Sequence, residues 1–284
     1  MKAPSFAYAR PDSLGEALAL LERHGEAARV LAGGQSLLAS LNLRLSSPEL
    51  LVDVAGLKEL SGIRVQDDAL RIGALTRHCE IESSAKVAQH VPLLAQAAPH
   101  VAHVAIRNAG TLGGSIALAD PAAEYPACAL ALEATLVIAG PRGERRVAAR
   151  DFFRGLYSTA LEPQELLVAA EFPLLEPGYR SAFLELARRH GDYAIVGVAA
   201  HARVEGGRLA DLRLAYLGVG ATAVRAERAA AAVESKAYGP QTVAAAQAAL
   251  GDDLDPSPDL YHSAATKLHL ARVLTGRALA ALAR

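Results

Sequence analysis

Two short loops built on paired glycines are the stretches best suited to chemistry: "AGGQS" at 32–36 and "TLGGS" at 111–115. Glycine reaches positive φ without steric cost and, lacking a Cβ, lets neighbouring N–H groups converge on an anion. Ser36, Thr111 and Ser115 add hydroxyl donors beside them. A helix starting at Ser36 would contribute unpaired amides and the positive end of its dipole. Two such loops facing each other suit a pyrophosphate, and hence a dinucleotide, whereas each loop alone reads first as an ordinary tight turn. Neither loop fits G-x-G-x-x-G or G-x-x-x-x-G-K-[ST], which disfavours a Rossmann dehydrogenase and a P-loop NTPase.

The other reactive residues form weaker patterns. His100 and His103 stand in H-x-x-H, a spacing that holds a metal when a third ligand is near. None is apparent, so a packed or solvated pair is the expectation and no metal site is assigned. Arg107 and Asn108 precede the second loop and either orient it or, for Arg107, meet a cofactor phosphate. Tyr157 and Ser158 either face a cofactor or partner or are structural. No Ser-His-Asp or Cys-His arrangement is legible, and no catalytic residue is assigned.

These loops need elements to hold them. "SLGEALALLERHG" (13–25) reads as a helix with Ser13 as N-cap, Glu16 completing a capping box and Gly25 past the end. "ARVLAG" then reads as a buried strand, "SLLASLNLRL" as a helix and "ELLVDV" as a second strand. The first glycine pair thus falls at the turn of a β-α-β unit. Further on, "DALRIGALT" reads as a strand pair or edge, and "KVAQHVPLLAQAAPHV" as helical apart from Pro92. A helix from about Glu124, a strand at 134–139 and another at 165–173 follow. "EPGY" (176–179) is the best linker. Beyond it, "IVGVAAHARVEGGRLADLRLAYLGVG" alternates and turns at Gly206-Gly207 as an antiparallel hairpin does, and helical segments complete the chain.

The whole reads as α+β, two small lobes followed by a β-meander with helices. With 284 residues, 52% of them hydrophobic, the chain has ample core for two modest domains. A net charge of −1 argues against a nucleic-acid binder. No apolar run is long enough to span a bilayer and no signal-like stretch opens the chain, so a cytoplasmic location is expected. Cys79 and Cys128 are too few for a four-thiolate cluster, which places any iron–sulfur chemistry on another chain.

"IRNAGTLGGSIALADPAAEYPA" (106–127), taken with "AGGQSLL" and "RRHGDYAIVG" (188–197), resembles the FAD-binding medium subunit of the molybdenum hydroxylases, the xanthine oxidase and carbon monoxide dehydrogenase family. In feel the stretch is nearest to N-heteroaromatic hydroxylases of the quinoline 2-oxidoreductase kind. The resemblance implies a two-lobed FAD-binding domain of vanillyl-alcohol-oxidase type at 1–176, with lobes of about 1–55 and 56–176, and a flavoprotein C-terminal domain at 177–284. It implies that Ala32, Gly33, Gly34, Gln35, Ser36 and Leu37 bind the FAD pyrophosphate, and that Thr111, Gly114 and Ser115 close on the phosphates and ribityl chain. Glu124 stands where the family usually has Asp and would meet the adenosine end or ribityl hydroxyls. Leu167 falls in a cofactor-touching strand, and Asp192 and Tyr193 would approach the isoalloxazine. Many relatives carry Lys near position 185, where this chain has Glu185, so no flavin-contacting lysine is carried over.

The implied function is electron transfer through FAD on this chain. The electrons would come from [2Fe–2S] clusters on a small partner subunit, and a large partner would carry molybdopterin, the assembly being a dimer of heterotrimers. A stand-alone FAD oxidoreductase and a non-enzymatic scaffold subunit stay open as alternatives at this point.

Overall fold

The computed structural model describes residues 2–284. The first lobe is a three-stranded parallel sheet of strands β1 (Ala7–Ala9), β2 (Ala28–Leu31) and β3 (Leu50–Asp53), with β3 central. Helix α1 (Leu14–His24) precedes β2 and helix α2 (Leu37–Asn42) links β2 to β3. Ser13 caps α1 by accepting the Glu16 N–H at 3.2 Å. Glu16 reaches one residue further back than a capping box does, accepting the Asp12 N–H at 2.8 Å rather than that of Ser13. Gly25 closes the helix at φ 49°. Helix α2 is shorter than its leucine pattern indicates, because the chain turns at Arg44, whose φ is 58°.

The second lobe is built on five antiparallel strands: β4 (Ile63–Gln66), β5 (Ala69–Gly73), β6 (Thr135–Gly140), β7 (Gly143–Ala148) and β10 (Leu166–Pro173). Their order is β4-β5-β10-β6-β7. Strand β10 is central and buried along nearly its whole length. Its one charge, Glu171, lies between two arginines, Arg71 of the adjacent β5 at 2.7 Å and Arg146 of β7, one strand further away. Pairing of this kind is what makes a buried carboxylate tolerable.

Helices α3 (His78–Glu82), α4 (Ala85–His90), α5 (Pro92–Ala97), α6 (Val104–Arg107), α7 (Leu112–Leu118) and α8 (Glu124–Ala131) lie between β5 and β6. Pro92 ends one helix and opens the next, a position where its missing N–H breaks no intrahelical bond. A short helix α9 (Ala149–Phe152) and the strand pair β8 (Phe153–Gly155) and β9 (Ser158–Thr159) precede β10.

The third layer is an antiparallel sheet of β11 (Tyr179–Ala187), β12 (Ala194–Glu205), β13 (Arg208–Leu217) and β14 (Val224–Arg225), with β15 (Lys236–Ala237) beside β13. Gly206 and Gly207, at φ 54° and 75°, supply the two positive φ values that a two-residue hairpin turn requires. Helices α10 (Glu227–Ala231), α11 (Pro240–Asp253) and α12 (Ala264–Ala283) complete the chain, with α12 packed across β11 and β12.

Every residue of α8 is buried, as befits a helix apolar on all sides. It packs on α5 and α7 from one direction and on β12 and β13 from the other, so one core runs from the second lobe into the third layer.

Tyr216 of β13 donates to Thr275 Oγ1 of α12 at 2.8 Å, because the Thr275 hydroxyl proton is committed to the Ala271 carbonyl at 2.6 Å. Both side chains are buried. Tyr216→Phe leaves that threonine oxygen without its donor, so denaturant unfolding should show a loss of about 1–2 kcal/mol.

Candidate functional site

A cavity of about 660 Å³ opens between the first two lobes and extends to the third layer. Its first wall is the turn after β2, at the carboxyl end of a parallel strand, where open α/β sheets place their ligands. Among the described residues, the N–H groups of Gly33, Gly34, Gln35, Ser36 and Leu37 donate to no protein acceptor, and the first to turn back is Leu38, to the Gly34 carbonyl at 3.1 Å. The run is held open by Gly34 at φ 71° and by the Gln35 amide, folded back on the Gly33 carbonyl at 2.8 Å. Ser36 stands at the N-cap of α2, yet its hydroxyl makes no capping bond. All five residues line the cavity, and their free amides make a donor row suited to a multiply charged oxyanion.

The second loop has a different character. Leu112 donates to Thr76 O at 3.0 Å, Gly113 to Ala74 O at 2.8 Å, and Ser115 to Thr111 O at 3.0 Å. The Gly114 N–H is taken by Thr111 Oγ1 at 3.1 Å, the N-cap bond of α7. The two loops are therefore not equal halves of a clamp: the first offers backbone donors and the second a rigid backing with side-chain groups.

The glycines explain why. A Cβ on Gly33 would stand 2.3 Å from Ala109 O and 2.7 Å from Gly110 Cα. One on Gly113 would stand 2.4 Å from the Ala74 methyl, and one on Gly110 would stand 2.7 Å from His78 Nε2. The gap that the sequence assigns to a ligand at Gly33 is filled by the backbone of the second loop. Close approach of loop to loop is the constraint there, and the ligand's room lies above it.

All the residues expected at the site line this cavity: Ala32 to Leu37, Thr111, Gly114, Ser115, Glu124, Leu167, Asp192 and Tyr193, with Glu124 near enough to Tyr193 for its charge to act on that phenol. Glu124 opens α8 and is 7% exposed. Burial lifts its carboxyl to about 7, against the pull of its own backbone N–H and with help from nearby Asp120. Glu185, on β11, is lifted to about 8 by burial and by the charge of Glu124, and its Oε2 is buried with no partner. Both carboxyls thus hold their protons to unusually high pH, Glu124 on the cavity wall and Glu185 behind it.

Several lining residues lack a sequence signal of their own. Asp120 accepts the Ala122 N–H at 2.9 Å and faces the Tyr157 hydroxyl at 3.5 Å; an Asp-Pro turn directly after the glycine helix was the available clue. His78 is buried, and its imidazole, held to about 4 by burial and by Arg107, packs on the Tyr125 ring at 5.3 Å. Nothing local marks that position. Tyr157 does line the cavity, at φ 52°. Arg107 does not reach it: its guanidinium is committed to Glu82 at 2.8 Å and to the Ala102 carbonyl at 2.8 Å. His100 and His103 gather no third ligand, and no metal-capable cluster occurs among the described residues.

Two substitutions separate loop packing from ligand room. Gly33→Ala forces the loops apart, so it should lower stability by about 1–3 kcal/mol and weaken ligand binding together. At Gly114 the added methyl meets only the Thr111 hydroxyl, at 2.9 Å, so thermal denaturation should show a clearly smaller loss. A second test uses Glu185. A carboxyl raised from 4.5 to about 8 holds a proton in the folded state that the unfolded chain has released. Its contribution is fully present below the lower value and is lost as pH rises through the upper one. Glu185→Gln should thus match the wild-type Tm near about pH 4 and exceed it at about pH 9; a constant offset across that range contradicts the shift.

Comparison with known proteins places this geometry. Residues 4–175 match the family described as the FAD binding domain in molybdopterin dehydrogenase, and residues 181–282 match the CO dehydrogenase flavoprotein C-terminal domain. The 6-hydroxypseudooxynicotine dehydrogenase complex subunit alpha of Paenarthrobacter nicotinovorans is 41% identical over 281 residues, 99% of this chain and 95% of its own length. A solved structure of carbon monoxide dehydrogenase from Hydrogenophaga pseudoflava superposes with a TM-score of 0.97 at 41% identity, covering 99% of this chain and 98% of that one. Quinoline 2-oxidoreductase from Pseudomonas putida 86 gives 0.94 at 41% identity, covering 100% and 98%. No helix among the described residues is long and apolar enough to cross a membrane. The chain belongs to the FAD-binding medium subunits of the molybdenum hydroxylases, the flavoprotein component of that oxidoreductase family.

Proposed function

We propose that the chain holds FAD along the cavity, with the pyrophosphate on the amides of Gly33 to Leu37 and the ring system toward Asp192 and Tyr193. The observation that carries this reading is the donor row itself, five consecutive N–H groups without protein acceptors at the mouth of one cavity. FAD supplies the ability to take and deliver electrons one or two at a time. The chain's own part is to bind, orient and shield. Thr111 and Ser115 present hydroxyls to the phosphates and ribityl chain, Leu167 supplies an apolar wall, and Glu124 sits within reach of sugar or ribityl hydroxyls. A Glu124 carboxyl lifted to about 7 is largely able to donate as well as accept a hydrogen bond near neutrality.

The partners follow from the family. We assign the electron source to a small subunit carrying [2Fe–2S] clusters and the substrate chemistry to a large molybdopterin subunit, in a dimer of heterotrimers. Two thiols in a 284-residue chain agree with clusters residing elsewhere and with a reducing, cytoplasmic setting. Two exposed aromatic rings line the cavity, Tyr157 at 57% and Tyr193 at 76%, and Leu156, beside Tyr157 in the chain, is 61% exposed. That collar is the docking surface for the iron–sulfur partner in this reading. We divide the chain at 176–177, with lobes of about 1–55 and 56–176 before it; the gap between the two family matches, 175 to 181, supports the first of these divisions.

The purified chain should be yellow, or become so on addition of FAD, with one flavin per chain by its visible spectrum. A colourless protein that cannot be reconstituted contradicts the reading, and a yellow one that oxidises a substrate unaided favours a stand-alone oxidoreductase. Leu156→Asp should leave the flavin bound while weakening capture of the iron–sulfur subunit, measured by titration of the purified partners.

A further inference from the structure

Asp192 and Tyr193 lie on a strap, residues 188–193, that joins β11 to β12 without regular structure. Both side chains are exposed, Tyr193 at 76%, so their own packing does not hold them over the cavity. The strap's backbone must do so, and it rests on a shelf formed by residues 99–103. At Gly191, φ is 86°, and a Cβ there would stand 2.4 Å from His103 Nδ1 and 3.1 Å from Ala102 O. The imidazole of His103 fills the space a side chain would need. One residue earlier, the His190 ring stacks on that of His100, at 6.3 Å between centroids and 25° between planes. His100 also packs on Phe183 of β11 at 5.3 Å.

The shelf is itself held in an unusual shape. Ala102 adopts φ 46°, a left-handed conformation that a non-glycine residue keeps when its surroundings fix it. Arg107 does the fixing: its Nη1 donates to the carbonyls of Ala102 at 2.8 Å, Val101 at 3.3 Å and Pro99 at 3.4 Å. Its charge is balanced by Glu82, and its side chain is 7% exposed. Arg107 lies directly before the second glycine loop, so one buried guanidinium ties the floor of the cavity to the seat of the strap.

We infer that Arg107, through the shelf, and His103, beneath Gly191, are positioning residues that set Tyr193 over the cavity mouth and so govern access to the flavin ring. This rests on the preceding assignment of that ring to the Tyr193 end. The H-x-x-H pair thereby acquires a role: His103 supports the strap from below and His100 from the side.

The test uses the full chain loaded with FAD. In His103→Ala, amide hydrogen exchange across 188–193 should accelerate by about tenfold or more, a local opening that needs no flavin to be read. Flavin stoichiometry should stay at the wild-type value, while quenching of flavin fluorescence by iodide rises to the level of Tyr193→Ala. The double variant should show no further rise, since both changes act through one side chain. Arg107→Lys, which keeps a cation for Glu82 but cannot reach three carbonyls, should likewise accelerate exchange in the strap and serves if His103→Ala folds poorly. Unchanged strap exchange in both variants, or quenching that adds to that of Tyr193→Ala, would overturn the inference. Failure of the wild-type chain to bind FAD would sink the preceding assignment instead, leaving the exchange result to judge the shelf.

Discussion

Backbone-to-backbone contact between two loops that lie far apart in sequence is the constraint on which the site depends. Gly33 meets Ala109 and Gly110 at a distance where a Cβ would be 2.3 Å from a carbonyl oxygen. That contact fixes the floor of the cavity and the direction in which the remaining amides point. The second loop can serve as backing because its own N–H groups are already satisfied by the Ala74 and Thr76 carbonyls, just past β5, and by Thr111. Satisfied groups hold position, whereas unsatisfied ones stay available to water or to a ligand. The asymmetry between the loops is thus a division between rigidity and recognition.

The far end of the cavity is governed by burial and charge. Helix α8 is enclosed by the second lobe and the third layer, and its first residue, Glu124, is enclosed with it. Glu185 comes up from β11 into the same region, its Oε2 unpartnered. Two carboxyl groups in mutual influence favour keeping a proton between them near neutrality, as their raised values show.

Much of this was legible in the sequence because it is local. The β-α-β unit around "AGGQS", the buried strand β10, the Gly206-Gly207 hairpin and the helix from Glu124 all follow from short-range pattern and turn chemistry. The glycine pairs were legible as sites but not as to reason: that Gly33 serves the second loop depends on a contact across nearly eighty residues. His78, Asp120 and the true partners of Arg107 were hidden for the same cause, since each takes its role from what the fold brings beside it. The end of α2 was blurred at Arg44, where one left-handed residue overrules the apolar periodicity, whereas the break at Pro92 was legible from proline alone.

The central claim is that the first loop supplies the backbone donors and the second supplies the backing. Residue-resolved amide hydrogen exchange, with and without FAD, tests it most directly. The account predicts that Leu112 to Ser115 are protected in both states, while Gly33 to Leu37 exchange freely in the free protein and become protected when FAD binds. Protection that appears at Leu112 to Ser115 and not at Gly33 to Leu37 would contradict it.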